Sequence, residues 1–140
     1  MKTLALDIGD AWIGSAISDA LGMFARPFQT VETKELETFL TSTLQKEPIS
    51  TVVVGYPKTM QGNRSEQTQK IETTFKHLEQ TFPAITWILW DERLSSKRAD
   101  TLKKATTKDD KRHSHSLAAA FILSSYLDYK HMQQTMHESN

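Results

Sequence analysis

Asp7 is the first residue of the chain whose type and setting could do chemistry. Apolar residues surround it, and Gly9 follows it in the pattern D-x-G. The run continues through Gly14 to Ser18, so the sequence predicts two strands joined by a turn. A carboxylate in a strand that otherwise forms core is costly to bury, and a metal ion or a phosphate-handling site would compensate for it. The alternative is that Asp7 only caps the turn.

A second group of acidic residues follows the last strand that the sequence predicts. The apolar run over residues 85–90 leads directly into Asp91, Glu92 and Arg93. If the two strands are close, Glu92 meets Asp7, and paired carboxylates suit Mg²⁺ or Mn²⁺ in phosphodiester hydrolysis. Asp91 is a substitute for Glu92, because strand neighbours face opposite ways and the sequence does not show where the strand ends. The alternative for this motif is a solvated turn with a local ion pair.

Basic and imidazole side chains near these positions are candidates for substrate contacts. Lys58 and Arg64 follow the apolar strand predicted over residues 51–56, and they could contact a nucleic-acid backbone. Arg93 could hold a phosphate, since its planar fork suits one. His115 precedes a helix that is apolar nearly all round, and we expect it to point at the same sheet edge. The alternative for Lys58 and Arg64 is that they are ordinary surface bases.

The elements that must position these residues alternate in type after the first hairpin. A third strand over residues 28–31 is expected at an edge, because Pro27 cannot donate to a ladder. Apolar residues at helical spacing predict helices over residues 35–45, after Asn63, around Ala99 and Leu102, and over residues 116–129. Three antiparallel strands followed by two α/β units imply a mixed sheet with helices on both faces. Sites in such sheets lie beyond the carboxyl ends of the parallel strands.

The composition fits one domain with balanced charge. The chain has 140 residues, with 17 Lys and Arg against 17 Asp and Glu, and it has no cysteine. There is thus no global basic field to indicate a nucleic-acid partner, and a local basic patch would not show in the net charge. Disulfides and thiolate zinc sites are excluded, and no apolar run approaches the roughly 20 residues of a membrane span. We expect a cytoplasmic protein without a membrane segment, with one domain over residues 1–130 and a polar, disordered tail over residues 131–140.

Four segments together resemble the YqgF/RuvX family: LALDIGDAWIGSAISD, VVVGYPKTMQGN, DERLSS and SLAAAFILSSYLD. The resemblance extends from Lys2 to about Asp128. It implies a ribonuclease H-like fold, in which a five-stranded mixed sheet has the order 3-2-1-4-5 and helices on both faces. It also implies a nuclease that processes the 5′ end of pre-16S ribosomal RNA or resolves branched DNA. In this family the second acid follows the fifth strand, as Glu92 does here.

The chain departs from the family's pattern at three places. The basic pair before the Ile-Gly of the hairpin is replaced by Ala11-Trp12, which should weaken phosphate contacts. The G-[LI]-P element reads Gly55-Tyr56-Pro57. The third family acid aligns with His115, which is a poorer ligand for Mg²⁺ but a good one for Mn²⁺. In the alternative, Asp109 or Asp110 supplies that charge.

Three hypotheses follow. In the first, the protein is an endonuclease for structured RNA or branched DNA, and acts as a monomer or homodimer. Mg²⁺ or Mn²⁺ is then held by Asp7, Glu92 and His115, and the substrate is bound by Lys58, Arg64 and Arg93. The second is a non-catalytic RNA-binding or ribosome-assembly factor, which His115 and Ala11-Trp12 favour. The third is an ATP-dependent sugar kinase-like fragment, because D-x-G hairpins also start that fold, but the chain is too short for two lobes.

Overall fold

The computed structural model describes residues 1–57, 66–91 and 108–138, and within the last range it describes the side chains of residues 114–135. These residues form five strands and three helices in the order β1 (Lys2–Ile8), β2 (Trp12–Ser18), β3 (Ala25–Glu32), α1 (Leu36–Lys46), β4 (Ile49–Tyr56), α2 (Glu66–Thr81), β5 (Thr86–Asp91) and α3 (Lys108–Glu138). A 3₁₀ turn, Thr33–Glu35, precedes α1. The short helix predicted around Ala99 and Leu102 lies outside the described residues.

The five strands form one sheet in the order β3-β2-β1-β4-β5, which confirms the predicted order. β1 and β2 are antiparallel, as are β2 and β3, whereas β1, β4 and β5 run parallel. β3 is an edge strand, as Pro27 indicated, but it is longer than the predicted residues 28–31. The carboxyl ends of β1, β4 and β5 therefore lie at one end of the sheet, where sites in such sheets are found.

Helices cover both faces of the sheet. One face packs against α1 and α2, in a core that includes Leu6 of β1 and Leu40 of α1. The other face packs against α3, in a core that includes Ala5 of β1, Ala16 of β2 and Ala119 of α3. Because these three residues are alanines, the backbone of α3 can approach the sheet closely.

α3 is longer than the helix predicted over residues 116–129. Its buried residues lie between Ser116 and Leu127, and the residues that follow are mostly exposed. The sequence predicted a disordered tail over residues 131–140. Residues 131–138 instead continue the helix, so this prediction is wrong for them. Each residue added to a helix contributes one backbone hydrogen bond, and residues 131–138 contain no Gly or Pro that would end the helix. None of the described helices has the length and hydropathy that a membrane crossing requires.

The turn between β2 and β3 is held by its own backbone and by Asp19. Asp19 Oδ1 accepts hydrogen bonds from the amides of Met23, at 2.7 Å, and Phe24, at 3.1 Å. These backbone hydrogen bonds, that of Phe24 above all, lower the pKa of Asp19. Gly22 has a φ of +68°, in the left-handed region that favours glycine. This turn lies at the end of the sheet opposite the carboxyl end of β1.

Candidate active site

Asp7 lies near the carboxyl end of β1, on the face of the sheet that α3 covers. Its neighbours Leu6 and Ile8 belong to the core on the α1 and α2 side, whereas Ala5 belongs to the core under α3. Because side chains alternate along a strand, Asp7 shares the face of Ala5. Asp7 is partly buried and pairs with Gly14 across β1 and β2.

The backbone of α3 lies directly on Gly14. A Cβ atom at this position would lie 2.0 Å from the carbonyl oxygen of His115 and 2.7 Å from the amide nitrogen of Ser116. Only a residue without a side chain fits under the helix here. Because Gly14 is the strand partner of Asp7, the contact brings the His115 peptide beside the strand position of Asp7.

The imidazole of His115 reaches the turn that follows β1. Its Cε1 atom lies 3.9 Å from the position that a Cβ atom would take at Gly9. Gly9 follows Asp7 by two residues, so the imidazole and the carboxylate are placed at the same strand end. The structure therefore brings together two of the three metal ligands that the sequence predicted.

The turn after β1 is braced by hydrogen bonds to the 3₁₀ turn. The amide of Gly9 donates to the carbonyl of Trp12 at 3.0 Å, and the hydroxyl of Thr33 donates to the carbonyl of Gly9 at 3.0 Å. The amide of Thr33 donates to the carbonyl of Ala11 at 3.0 Å. The strand end that carries Asp7 is thus fixed from outside its own hairpin. Sequence reasoning missed Thr33, because nothing in its local pattern signals a contact with the hairpin.

β5 ends at Asp91, on the face of the sheet away from Asp7. Asp91 pairs with Tyr56, which belongs to the core on the α1 and α2 side, whereas Trp90 packs against the core under α3. The alternation of side chains thus disfavours Asp91 as the substitute that the sequence left open. The remaining candidates lie outside the described part of the chain: Lys58, Arg64, Glu92 and Arg93, and the side chains of Asp109 and Asp110.

The end of β5 is attached to the same helix that carries His115. The indole Nε1 of Trp90 donates to the hydroxyl of Ser125 at 3.3 Å. The rings of Trp90 and Tyr126 meet edge to face with their centroids 5.4 Å apart, and burial raises the pKa of Tyr126. α3 therefore contacts both the strand that carries Asp7 and the strand that leads into Glu92.

Asp7 and His115 offer donors of the kind that divalent ions accept. A carboxylate oxygen suits Mg²⁺ and Mn²⁺, and an imidazole nitrogen suits Mn²⁺ better than Mg²⁺. Among the described residues, no group of three His, Cys, Asp or Glu side chains is placed to hold a metal ion. These two donors fit such an ion in their chemistry, and waters and substrate phosphates are the other ligands that it commonly takes.

Comparison with known proteins gives the family. The sequence model of RuvX, described as Holliday junction resolvase, matches residues 1–129. A relative from Shouchella clausii is 37% identical over 136 residues, which cover 91% of this chain and 95% of the relative. One from Rubrobacter xylanophilus is 33% identical over 128 residues, which cover 91% of this chain and 92% of the relative. Both carry the name "Putative pre-16S rRNA nuclease".

Solved structures agree on the fold. RuvC of T. thermophilus in complex with a Holliday junction substrate superposes with a TM-score of 0.65 at 15% identity, covering 94% of this chain and 96% of that chain. A second structure of Thermus thermophilus RuvC gives a TM-score of 0.55 at 14% identity. These similarities confirm the ribonuclease H-like fold that was expected. The match of the family model over residues 1–129, together with relatives of similar length, shows that the chain belongs to the RuvX family.

Proposed function

We propose that this protein is a metal-dependent endonuclease that processes the 5′ end of pre-16S ribosomal RNA, with branched DNA as the other candidate substrate. It would act in the cytoplasm as a monomer or a homodimer. The observation that carries the proposal is the placement of Asp7 and His115 at one end of β1 by the contact of α3 with Gly14. Membership in a nuclease family and the names of the relatives support the choice of reaction and substrate.

In this proposal Asp7, His115 and Glu92 hold Mg²⁺ or Mn²⁺. When bound, the ion activates water and neutralises charge on the scissile phosphate. The chain's own contribution is to fix the donors before the substrate arrives. Asp7 lies on a central strand and His115 on a helix seated against the sheet, so neither backbone has to be ordered on binding. Glu92 is favoured over Asp91, because Asp91 shares the face of Tyr56 rather than that of Asp7.

The proposed function is tested by cleavage assays on a pre-16S RNA precursor and on four-way DNA junctions, each with Mg²⁺ and with Mn²⁺. Metal-dependent cleavage of the RNA precursor is the expected result, and cleavage of the junction alone would reassign the substrate to branched DNA. If the protein binds either nucleic acid but cleaves neither, the nuclease proposal is wrong. The non-catalytic ribosome-assembly hypothesis then takes its place.

The choice of metal is expected to change when His115 is replaced by Asp. A carboxylate oxygen is a harder donor than an imidazole nitrogen, so His115→Asp should raise Mg²⁺-supported cleavage relative to Mn²⁺-supported cleavage. We expect a change of about tenfold in the ratio of the two initial rates, which corresponds to about 1.4 kcal/mol. His131→Asp, on the part of α3 beyond the buried residues, is the matched control and should leave the ratio unchanged. An unchanged ratio together with unchanged metal binding in His115→Asp would contradict a ligand role.

Substrate binding is expected to depend on salt through a few local contacts, because the chain carries no net charge. If Lys58, Arg64 and Arg93 contact phosphates, each Ala substitution should reduce the slope of log affinity against log salt by about 1. The loss should be similar for different sequences, since phosphate contacts carry no base information. Fluorescence anisotropy over a series of salt concentrations measures both effects. Lys46→Ala, at the end of α1 away from the candidate site, is the control. Unchanged slopes in all three variants would show that the nucleic-acid interface lies elsewhere. Residues 103–113 are then the next candidate.

A further inference from the structure

A cavity of about 840 Å³ opens at the carboxyl end of β1. It lies between the turn after β1, the 3₁₀ turn and the first half of α2, and its described lining includes Gly9. Gly9 is also the residue over which the imidazole of His115 lies. The cavity lies on the α2 side of the sheet, whereas Asp7 and His115 lie on the α3 side, so the two meet across the turn at the end of β1.

Lys70 supplies the positive charge in the described part of the lining. Its Nζ atom lies 3.5 Å from Oδ1 of Asp10, and 68% of the Lys70 side chain and 82% of the Asp10 side chain are exposed. An ion pair this long and this exposed contributes little, so an anionic ligand can displace Asp10 from Lys70 at small cost. Glu66 also lines the cavity, so the negative charges of Asp10 and Glu66 oppose the binding of an anion.

The other polar groups of the cavity match those that contact nucleic-acid backbones. Its lining residues include Gln67 and Gln69, which carry amides, and Thr33 and Thr74, which carry hydroxyls. Side chains of these types and Lys are among those that contact phosphate and sugar in protein–DNA complexes. None of the described lining residues is aromatic, so this part of the cavity offers no ring on which a base could stack. The chemistry therefore favours contacts with the backbone of a strand over contacts with its bases.

We propose that this cavity binds the sugar–phosphate backbone of the substrate strand next to the scissile bond, with Lys70 as its phosphate-binding cation. The identity of the strand rests on the proposed nuclease function. A phosphate of the strand takes the place of Asp10 on Lys70, and the strand then passes round the end of β1 at Gly9 to reach Asp7 and His115 on the other face of the sheet. The volume lies within the range of about 300–1,000 Å³ that is usual for ligand sites.

Binding of a short, labelled single-stranded RNA in EDTA tests the cavity without cleavage or metal binding. We expect Lys70→Ala to weaken binding about fivefold and to reduce the log–log salt slope by about 0.7, the contribution of one counterion on a single strand. Lys70→Gln, which keeps the start of the aliphatic stem, should behave similarly. Asp10→Asn should strengthen binding, because it removes the competing partner, and this gain should shrink in the Lys70→Ala background. Lys46→Ala is the control for loss of one surface charge.

Two results would overturn the proposal: unchanged affinity and slope in both Lys70 variants, or weaker binding in Asp10→Asn. A cleavage assay on the same proteins separates this proposal from the proposed function. If the wild type cleaves and the Lys70 variants bind normally, the nuclease function stands and the cavity assignment fails. If binding depends on Lys70 while the wild type cleaves nothing, the cavity assignment stands as an RNA-binding site and the nuclease function fails.

Discussion

Asp7→Asn is expected to reduce metal-dependent cleavage by about 10³-fold or more while leaving the fold intact. The amide has nearly the shape of the carboxylate, so the partly buried strand position should accept it. It lacks the negative charge that holds a divalent ion, and the loss of several kcal/mol of transition-state stabilisation corresponds to a factor of this size. Single-turnover cleavage rates measure the effect, and calorimetric titration with Mn²⁺ measures metal affinity separately.

The control for Asp7→Asn is the same change at Asp128, an exposed carboxylate on α3. Asp128→Asn should cleave at the wild-type rate, and circular dichroism should show that both variants are folded. Cleavage by Asp7→Asn at a tenth of the wild-type rate or faster would exclude Asp7 as an essential metal ligand.

Gly14→Ala is expected to lower the cleavage rate about 10²-fold, although Gly14 itself carries no reacting group. A Cβ atom there would lie 2.0 Å from the carbonyl oxygen of His115, whereas ordinary contact begins at 3.4 Å. The helix must therefore move by more than 1 Å, and a misplacement of about 1 Å can cost a factor of about 10². Mn²⁺ affinity should fall as well, and overpacking should destabilise the fold by about 1–3 kcal/mol.

Gly22→Ala separates this positioning effect from loss of stability. At a φ of +68° an alanine is strained by roughly 1–2 kcal/mol, yet a Cβ atom there meets nothing within 4 Å. Gly22 lies in the β2–β3 turn, at the opposite end of the sheet from Asp7. We expect Gly22→Ala to unfold at a lower temperature but to keep the wild-type rate and Mn²⁺ affinity. If Gly14→Ala loses stability but keeps the wild-type rate and Mn²⁺ affinity, Gly14 does not position His115.

The order of the strands was predictable from the sequence. A hairpin, an edge strand marked by Pro27 and two α/β units leave few ways to form one sheet, and the resemblance selected the observed order. The length of α3 was not predictable from its apolar pattern. The pattern shows only residues that face the sheet, and beyond Leu127 the helix continues through residues that are mostly exposed.

The candidate site was predictable only where residue type alone is informative. A carboxylate within a core strand singled out Asp7, and the start of an apolar helix singled out His115. The sequence marked Gly14 as part of a hairpin, but it gave no sign that a helix backbone lies on this glycine. Thr33 and Lys70 reach the β1–β2 turn from 24 and 60 residues away, so these contacts follow from tertiary packing rather than local pattern.

The core under α3 joins the first part of the chain to the last. Ala16 and Ala119 pack in this core although they are more than a hundred residues apart. At ribosomal rates of about 5–20 residues per second, β2 waits on the order of 5–20 s for the helix that covers it. Throughout that interval a nascent chain carries Asp7 without His115. Under the proposed function, a nascent chain is therefore inactive until α3 has been synthesised and has docked on the sheet.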